Sequence, residues 1–495
     1  MPPNSERFAY GSILEALSRG LYPDKRHIIR EFVQNSFDSI YDLRKTHPKI
    51  TSGDIEIKIN PPSIFIADHG MGMTESQVRE YRYLGYSKKD RTKSAGFRGI
   101  GKYSSSAVAK KLIVDTSPID IPKRYRVIIH ADEMMAQIQQ GKNPPLEELL
   151  EKHSEFSEST ARPDDHYTFV ELHGISDDCE TLMDENNIRD YLARTGPVPF
   201  DPKFHFGAEI NRKLVENVPE FMSPPVLVNG NNVCKLFFPN CYDPEYETVL
   251  YDDKKPDVLA FCWYCQNKEK GQFEPKDDAG LVFRVRNIAV GNGNLTRRML
   301  WRTTPERATY FSGEIHVLDS EVIPSSDRVD FEDNAARRRL SDRCQRISSI
   351  LRKKAGNESA FRRFDEAIET AVNTIAKRED EIRSGTVPVE IKEEVVFEIK
   401  KIQEDLQRRL KGPKKPSAVR RANRVMKKTR RVLSTLQSGN KAFIDLQHDL
   451  KFDPNLRALY ETILEVLKEE FRHQPERLER VIGRIHDAIR SRLAA

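Results

Sequence analysis

The feature that most constrains this chain is a helix-period segment whose apolar face is broken by acids and an amide. Ile28, Ile29, Phe32, Val33, Phe37 and Ile40 recur at helical spacing, and Glu31, Asn35 and Asp38 fall at i, i+4 and i+7 on one stripe. Asn and Asp are poor helix-interior residues and a desolvated carboxylate is costly, so the stripe calls for something that compensates it. A bound metal ion and a water to be activated would do so. Glu31 suits a general base on that water, and the Asn35 side-chain oxygen suits a magnesium ion that also touches phosphates. The plain alternative is a solvent-facing polar stripe on an amphipathic helix.

Two segments that alternate like strands follow, Ile55-Glu-Ile57-Lys-Ile59 and Ser63-Ile64-Phe-Ile66, and they end in Asp68-His-Gly70-Met-Gly72-Met73-Thr74. Asp68 is thereby placed at a strand end, where its carboxylate can accept a hydrogen bond from an exocyclic amine such as that of adenine. Gly70 and Gly72 let the backbone come close to a ligand. Alone, this Asp-x-Gly-x-Gly pattern is as well explained by an ordinary turn.

A third element is the glycine-rich loop Gly96-Phe-Arg98-Gly99-Ile100-Gly101-Lys102, followed by helix-like Ser105-Ser-Ala-Val-Ala-Lys. Such a loop can point backbone amides at phosphates. It misses the P-loop pattern by one residue: Tyr103 stands where a magnesium-binding Ser or Thr belongs, and Lys88-Lys-Asp-Arg-Thr-Lys-Ser-Ala, not a buried apolar strand, precedes it.

In this order the three elements resemble the GHKL ATPases, the superfamily of gyrase B subunits, ninety-kilodalton heat-shock chaperones, MutL proteins and histidine kinases, with the chaperone branch most similar. The resemblance implies ATP and Mg2+ as ligands, with Glu31 the general base, Asn35 the magnesium ligand and Asp68 the adenine-binding carboxylate. Gly72 and Met73 would line the adenine pocket, the loop from Gly96 to Lys102 would cover the phosphates, and Gly85 to Ala95 would form a mobile lid. Thr168, in Tyr167-Thr168-Phe-Val170-Glu-Leu172, fits the family's late-strand Thr, with Tyr167 replacing the usual preceding Gly. Further on, Asp319-Ser320-Glu321-Val-Ile-Pro324-Ser-Ser-Asp327-Arg328 resembles the chaperone middle-domain segment whose Arg reaches the terminal phosphate, one residue shorter from Pro to Arg. Arg328 is the candidate cation. Arg284 or Arg286 would be substitutes, and the plain alternative makes Arg328 a surface residue paired with Asp327 or Asp330.

The implied fold class is α+β: a Bergerat-type α/β sandwich over residues 1–195, an α/β transducer domain over 196–340, and a helical, partly basic domain over 341–495. At 495 residues, 38% hydrophobic and 32% charged, the chain has material for about three cores. Gly196-Pro-Val-Pro199 marks the first boundary, and a helical insertion is expected near residues 131–165. No apolar run is long enough for a membrane span and the N-terminus lacks a signal-peptide core, so a cytoplasmic location is expected. The six cysteines do not suggest a disulfide framework. Cys262-Trp-Tyr-Cys265, with Cys234 and Cys241, has half-site spacing for zinc, but its apolar surroundings favour core thiols.

The C-terminal third carries Arg408-Arg-Leu-Lys, Arg420-Arg421, Arg424, Lys427-Lys428 and Arg430-Arg431 with few acids between them. This run could contact a DNA backbone, or it could be a solvated helix face balanced by neighbours such as Glu390 to Glu394; it lacks interleaved aromatics for base stacking. The functional expectation is a nucleotide-driven dimer clamp that hydrolyses ATP and acts on a macromolecular partner. Its competitors are a MutL- or MORC-like clamp on DNA and a scaffold that binds nucleotide without hydrolysis. No phosphoacceptor-His helix precedes the ATP motifs and no cleavage domain follows, which argues against a histidine kinase or a topoisomerase.

Overall fold

The computed structural model describes residues 11, 14, 24–51, 53–81, 105–140, 144–252, 255–268, 271–301, 303–384, 387–411, 414–438, 443–444 and 453–493. The chain divides into two compact units, Met1–Arg352 and Lys353–Ala495.

The first unit opens with α1 (Arg26–Thr46), then β1 (Ile55–Asn60), β2 (Ser63–Asp68), the short α2 (Glu75–Glu80), β3 (Ala109–Ser117) and β4 (Lys123–His130). Next come α3 (Ala131–Gln139), α4 (Leu146–Lys152), β5 (Ser154–Thr160), β6 (Tyr167–Ile175), α5 (Glu185–Thr195) and α6 (Gly207–Asn217). With β7 (Val226–Val228) and β8 (Asn231–Asn232), the strands form one eight-stranded sheet in the order β5-β4-β3-β6-β2-β1-β7-β8. Alternation explains the strands: Ile55 and Ile57 are fully buried while Lys58 is exposed, and Ile64 and Ile66 meet them across the β1–β2 pair. The apolar faces of α1, α3, α4 and α5 close on this sheet in a single core, the layered α/β sandwich the sequence implies.

Two local features differ from the sequence reading. The helical insertion ends at Lys152, and residues 154–160 form an edge strand. Helical propensity there yields to pairing with β4, which sets Phe156 opposite Val127 and stacks it on Tyr125. Beyond Gly196 the chain returns to the first sheet, where Val226 pairs in parallel with Ile55.

A second sheet follows, built from β9 (Glu245–Asp252), β10 (Lys255–Gln266), β11 (Gly280–Val285), β12 (Ile288–Val290) and β13 (Phe311–Val317), with α7 (Gly293–Leu300) between β12 and β13. Its order is β12-β11-β13-β10-β9. Phe261, Trp263 and Cys265 pack with Phe204, Ile210, Leu214 and Cys241 in its core. Cys262 is fully buried, all six cysteines are free thiols, and no group of His, Cys, Asp or Glu among the described residues is arranged to hold a metal ion.

One buried polar cluster joins the two sheets. Lys235, just past β8, donates from Nζ to Glu314 of β13 at 2.8 and 2.9 Å and to Asn287 Oδ1 at 2.8 Å. Arg284 of β11 donates from Nε to the same carboxylate and from Nη1 to the Gly196 and Asn287 carbonyls at 3.0 and 2.8 Å. Trp263 Nε1 donates to Glu314 at 3.0 Å, and His316 Nε2 lies 3.0 Å away.

The second unit is helical. The long α8 (Ala335–Ser384) begins before it, and α9 (Lys392–Arg409), α10 (Pro416–Gln437), α11 (Pro454–Glu470) and α12 (Pro475–Leu493) follow. Pro416, expected to break a helix, opens α10 at its first turn, where its missing N–H costs nothing. Ala418, Ala422, Val425, Thr429, Val432 and Leu436 form the buried face of α10, so the basic residues line its other side. There Arg421 meets Asp365 at 3.3 Å and Lys428 meets Glu379 at 3.4 Å, while Arg409 is bonded to Asp405 at 2.6 Å. No described helix is long and apolar enough to cross a membrane.

Candidate nucleotide site

α1 forms because its apolar side chains are laid out for it: Ile28, Ile29, Val33, Phe37, Ile40 and Leu43 are at most 1% exposed. Asp24 accepts from the Arg26 N–H at 3.0 Å at the positive end of the helix, and Arg44 and Lys45 occupy the last turn. On its polar stripe the Glu31 side chain is 14% exposed, Asn35 is half-buried and Asp38 is buried. Asp38 faces Arg286 Nη1 at 3.5 Å, so this carboxylate, expected among the nucleotide groups, also ties α1 to the β11–β12 turn.

Asp68 ends β2 as expected. Register then assembles the floor of the site: Asp68 lies opposite Thr168 of β6, and Thr168 lies opposite Thr116 of β3. Directly opposed residues share a face, so the three side chains form a row across adjoining strands. Thr116 Oγ1 donates to the Tyr167 carbonyl at 2.7 Å, lies 3.3 Å from Thr168 Oγ1 and accepts from the Met73 N–H at 2.9 Å. The Asp68 carboxylate accepts from the Gly70 N–H at 3.0 Å and from the Ser36 and Ser39 hydroxyls of α1. Burial pushes Asp68 up to about 6, against the hydrogen bonds from Ser36, Gly70 and Ser39 that pull it down.

Thr116, Ser36 and Ser39 escaped the sequence reading. The two serines were within reach of it, since they interleave with Asn35 and Asp38 on α1; Thr116 had no local signal.

The glycines have an internal cause. A Cβ on Gly70 would sit 2.1 Å from Ser39 Oγ, and one on Gly72, at φ +66°, would sit 2.0 Å from the Ser117 carbonyl oxygen. Close approach here is to α1 and β3 themselves. Gly72→Ala should therefore lower the stability of the first unit by about 2–3 kcal/mol from strain and displacement of β3. A denaturant midpoint matching the wild type would contradict this.

Arg328 sits in a turn that is seated on α1. Arg30, next to Glu31 and 3% exposed, donates from Nη2 to the Asp327 carbonyl at 2.9 Å. The turn is held by Ser325 Oγ, which donates to Asp327 Oδ1 at 2.6 Å, and by the Gly291 N–H bonded to the Arg328 carbonyl at 2.7 Å. Arg328 is 4% exposed with φ +53°. Arg328 is therefore not a surface residue, and Asp330 is met by Arg337 at 3.1 Å and Arg298 at 3.4 Å. The substitutes are committed elsewhere: Arg284 to Glu314 and the Gly196 carbonyl, Arg286 to Asp38 and to Glu220 at 2.8 Å.

Gly96, Gly99, Ile100, Gly101 and Lys102, with the expected lid from Gly85 to Ala95, lie outside the described residues.

Residues 25–168 match the family described as histidine kinase-, DNA gyrase B- and HSP90-like ATPase. The chain is 28% identical over 196 residues to heat shock protein 90-5, chloroplastic, of Arabidopsis thaliana, a match covering 34% of this chain and 25% of that one. It is 33% identical over 129 residues to the chaperone protein HtpG of Buchnera aphidicola (21% of this chain, 20% of the relative). With HtpG of Bacteroides thetaiotaomicron the identity is 25% over 199 residues (37% and 26%). The matches thus span about a quarter or less of these relatives' lengths. Residues 25–168, which carry α1, Asp68 and Thr168, thus form a region similar to the histidine kinase-, DNA gyrase B- and HSP90-like ATPases, and the relatives named here are a heat shock protein 90 and HtpG chaperones.

Proposed function

We propose that this chain is an ATP-binding and ATP-hydrolysing conformational switch that closes as a homodimer on a protein partner. What supports the reading is that one helix, α1, which carries Glu31 and Asn35, also bonds through Ser36 and Ser39 to Asp68 in the row of Asp68, Thr168 and Thr116, and through Arg30 to the turn that holds Arg328.

In this reading the ionised Asp68 carboxylate accepts from the exocyclic amine of adenine, with the Thr116 and Thr168 hydroxyls flanking it and Gly72 and Met73 forming the rim. Glu31, partly screened from water, accepts the proton of the attacking water. Asn35, one turn further on, would hold magnesium. Its amide oxygen, with no acidic or His cluster around it among the described residues, suits an ion carried largely by phosphates and water. When bound, that ion neutralises phosphate charge. The loop from Gly96 to Lys102 covers the phosphates, and Arg328 meets charge that builds on the transferring phosphoryl group. Nucleotide shifts the open–closed balance only by its differential affinity for the closed state, so turnover is slow and partner-sensitive.

The partner is a protein client and not DNA. Arg421 and Lys428 are paired within their own unit, and the named relatives are chaperones. Steady-state phosphate release tests the reading. Glu31→Ala should lower turnover about 10²–10⁴-fold with ATP binding retained. A wild type that binds ATP and releases no phosphate would leave a nucleotide-dependent scaffold.

A further inference from the structure

We infer that Arg286 is a positioning residue of the nucleotide site: it braces the second sheet on α1, so that the Arg328 turn keeps its place on the helix that carries Glu31 and Asn35. It rests on the reading of Glu31, Asn35 and Arg328 as nucleotide groups. Arg286 stands in the two-residue turn between β11 and β12, where Val285 pairs with Ile288. Arg286 and Asn287 both take left-handed backbone, at φ +52° and +59°, the geometry of a tight hairpin turn whose twist matches its strands. Asn287, 1% exposed, pins the turn: it accepts from Lys235 on Oδ1 and donates from Nδ2 to the Met222 carbonyl at 2.9 Å. The Arg286 guanidinium is thereby offered to α1 from a fixed base.

On α1 it meets two residues one turn apart. Nη1 lies 3.5 Å from Asp38 Oδ1, and the guanidinium carbon is 5.4 Å from the centre of the Tyr41 ring. Nη2 donates to Glu220 at 2.8 Å, and the Tyr41 hydroxyl bonds to the same Glu220. One cation thus gathers two carboxylates and a phenol. The Arg286 side chain is 15% exposed and that of Asp38 4%, so their attraction is screened less than that of a surface pair.

The other end of the same hairpin holds Arg328. β12 leads from the turn to Val290, all three of its residues are buried, and the next N–H, of Gly291, donates to the Arg328 carbonyl at 2.7 Å. α1 is therefore fastened at two points, Arg30 to the Asp327 carbonyl and Asp38 to Arg286. These points are about 12 Å apart along the helix, and Glu31 and Asn35 lie between them. Two fastenings oppose rotation about either one, which sets a single placement of the Arg328 turn on that face. In such a site a misplacement of about 1 Å can cost on the order of 10²-fold in rate.

The test compares Arg286→Asn, Arg286→Lys and Arg328→Ala in the full-length protein, Asn being chosen because it tolerates left-handed backbone. Arg286→Asn should lower steady-state phosphate release about tenfold, while ATP affinity by titration calorimetry stays within about threefold of the wild type. Arg286→Lys keeps the charge without the fork and should recover turnover to within about threefold. In the Arg328→Ala background Arg286→Asn should add no further loss, because a brace acts only through the group it places. A residue that merely stabilises the fold would add its loss in both backgrounds. Without nucleotide, hydrogen exchange at the Gly291 amide should quicken about fivefold or more in Arg286→Asn. Additive losses, an ATP affinity that falls as far as turnover, or unchanged exchange at Gly291 would overturn the brace. A wild type that neither binds ATP nor releases phosphate would overturn the nucleotide reading and this role with it, and that failure shows before any substitution is made.

Discussion

Glu314→Gln should lower the stability of the first unit by about 3–5 kcal/mol, read as a shift in the urea midpoint of its unfolding. Glu314 carries the only negative charge in the cluster described for Lys235, Arg284 and His316, and it is 5% exposed. Burial alone would push it up, but the charges of Arg284 and Lys235 and the His316 bond override burial and hold it well below the usual carboxylate range. Remove that charge and Arg284 remains ionised in the interior, with only the Gly196, Asn287 and Arg194 carbonyls to receive it. Lys235, which burial and the Arg284 charge push down to about 7, would shed its proton and relieve part of the cost. Lys235→Met should therefore be milder, under about 2 kcal/mol, because the Arg284–Glu314 pair stays intact.

The same cluster sets a pH response. Burial pushes His316 down to about 4 from its ordinary 6.5. The unfolded chain thus binds a proton between those values that the folded chain refuses. Stability from this group is present above pH 6.5 and is lost as pH falls toward 4. Equal urea midpoints for the wild type and Glu314→Gln would show that the cluster is not the weld between the sheets.

Asp68→Asn should abolish useful nucleotide binding while leaving the ligand-free protein as stable as the wild type or more so. Keeping this buried carboxylate ionised at neutral pH costs on the order of 3 kcal/mol, given its rise from 3.8 to about 6. Asn removes that cost and keeps an oxygen for Gly70 and the serines. Toward adenine, however, it exchanges a charged acceptor for a neutral amide, and the loss of a charge-assisted bond in a buried site should weaken ATP binding about 100-fold.

Two pH trends should separate the roles of Asp68. A carboxylate raised in the folded state contributes stability that is full below pH 3.8 and is lost as pH rises through about 6. The stability difference between Asp68→Asn and the wild type should therefore close on acidification. ATP affinity of the wild type should move the other way and fall as pH drops below about 6, since the protonated group no longer accepts from the adenine amine. Titration calorimetry at pH 7.5 and 5.5 reads the affinity, and a thermal melt reads the stability.

How much of this was legible in the sequence depends on whether the geometry is local. Glu31 and Asn35 are one helical turn apart, and Asp68 is fixed by the end of an alternating strand, so periodicity alone placed them. Thr116 is 43 residues from Met73 and 52 from Thr168, and only the β3–β6 register brings them together. The Glu314 cluster was invisible for the same reason: Lys235 and Glu314 are separated by 79 residues, and each looks like an ordinary surface charge in its own segment. Gly70 and Gly72 were read as letting the backbone come close to a ligand, whereas the close approaches in the fold are to the chain itself. Which atoms approach, Ser39 and Ser117, required the fold. Residues 154–160 misled because their acidic and hydroxyl composition carries little strand signal, and β4 supplies the reason they extend.

The central claim is that Asp68, the Glu31–Asn35 face of α1 and the Arg328 turn form one nucleotide site. It is tested most directly by a crystal structure of the full chain with magnesium and the non-hydrolysable ATP analogue AMPPNP. The account expects the adenine amine at about 3 Å from the Asp68 carboxylate and the terminal phosphate between Asn35 and Arg328, with Glu31 facing it. Nucleotide bound away from Asp68, or adenine turned away from the row of Asp68, Thr168 and Thr116, would contradict it.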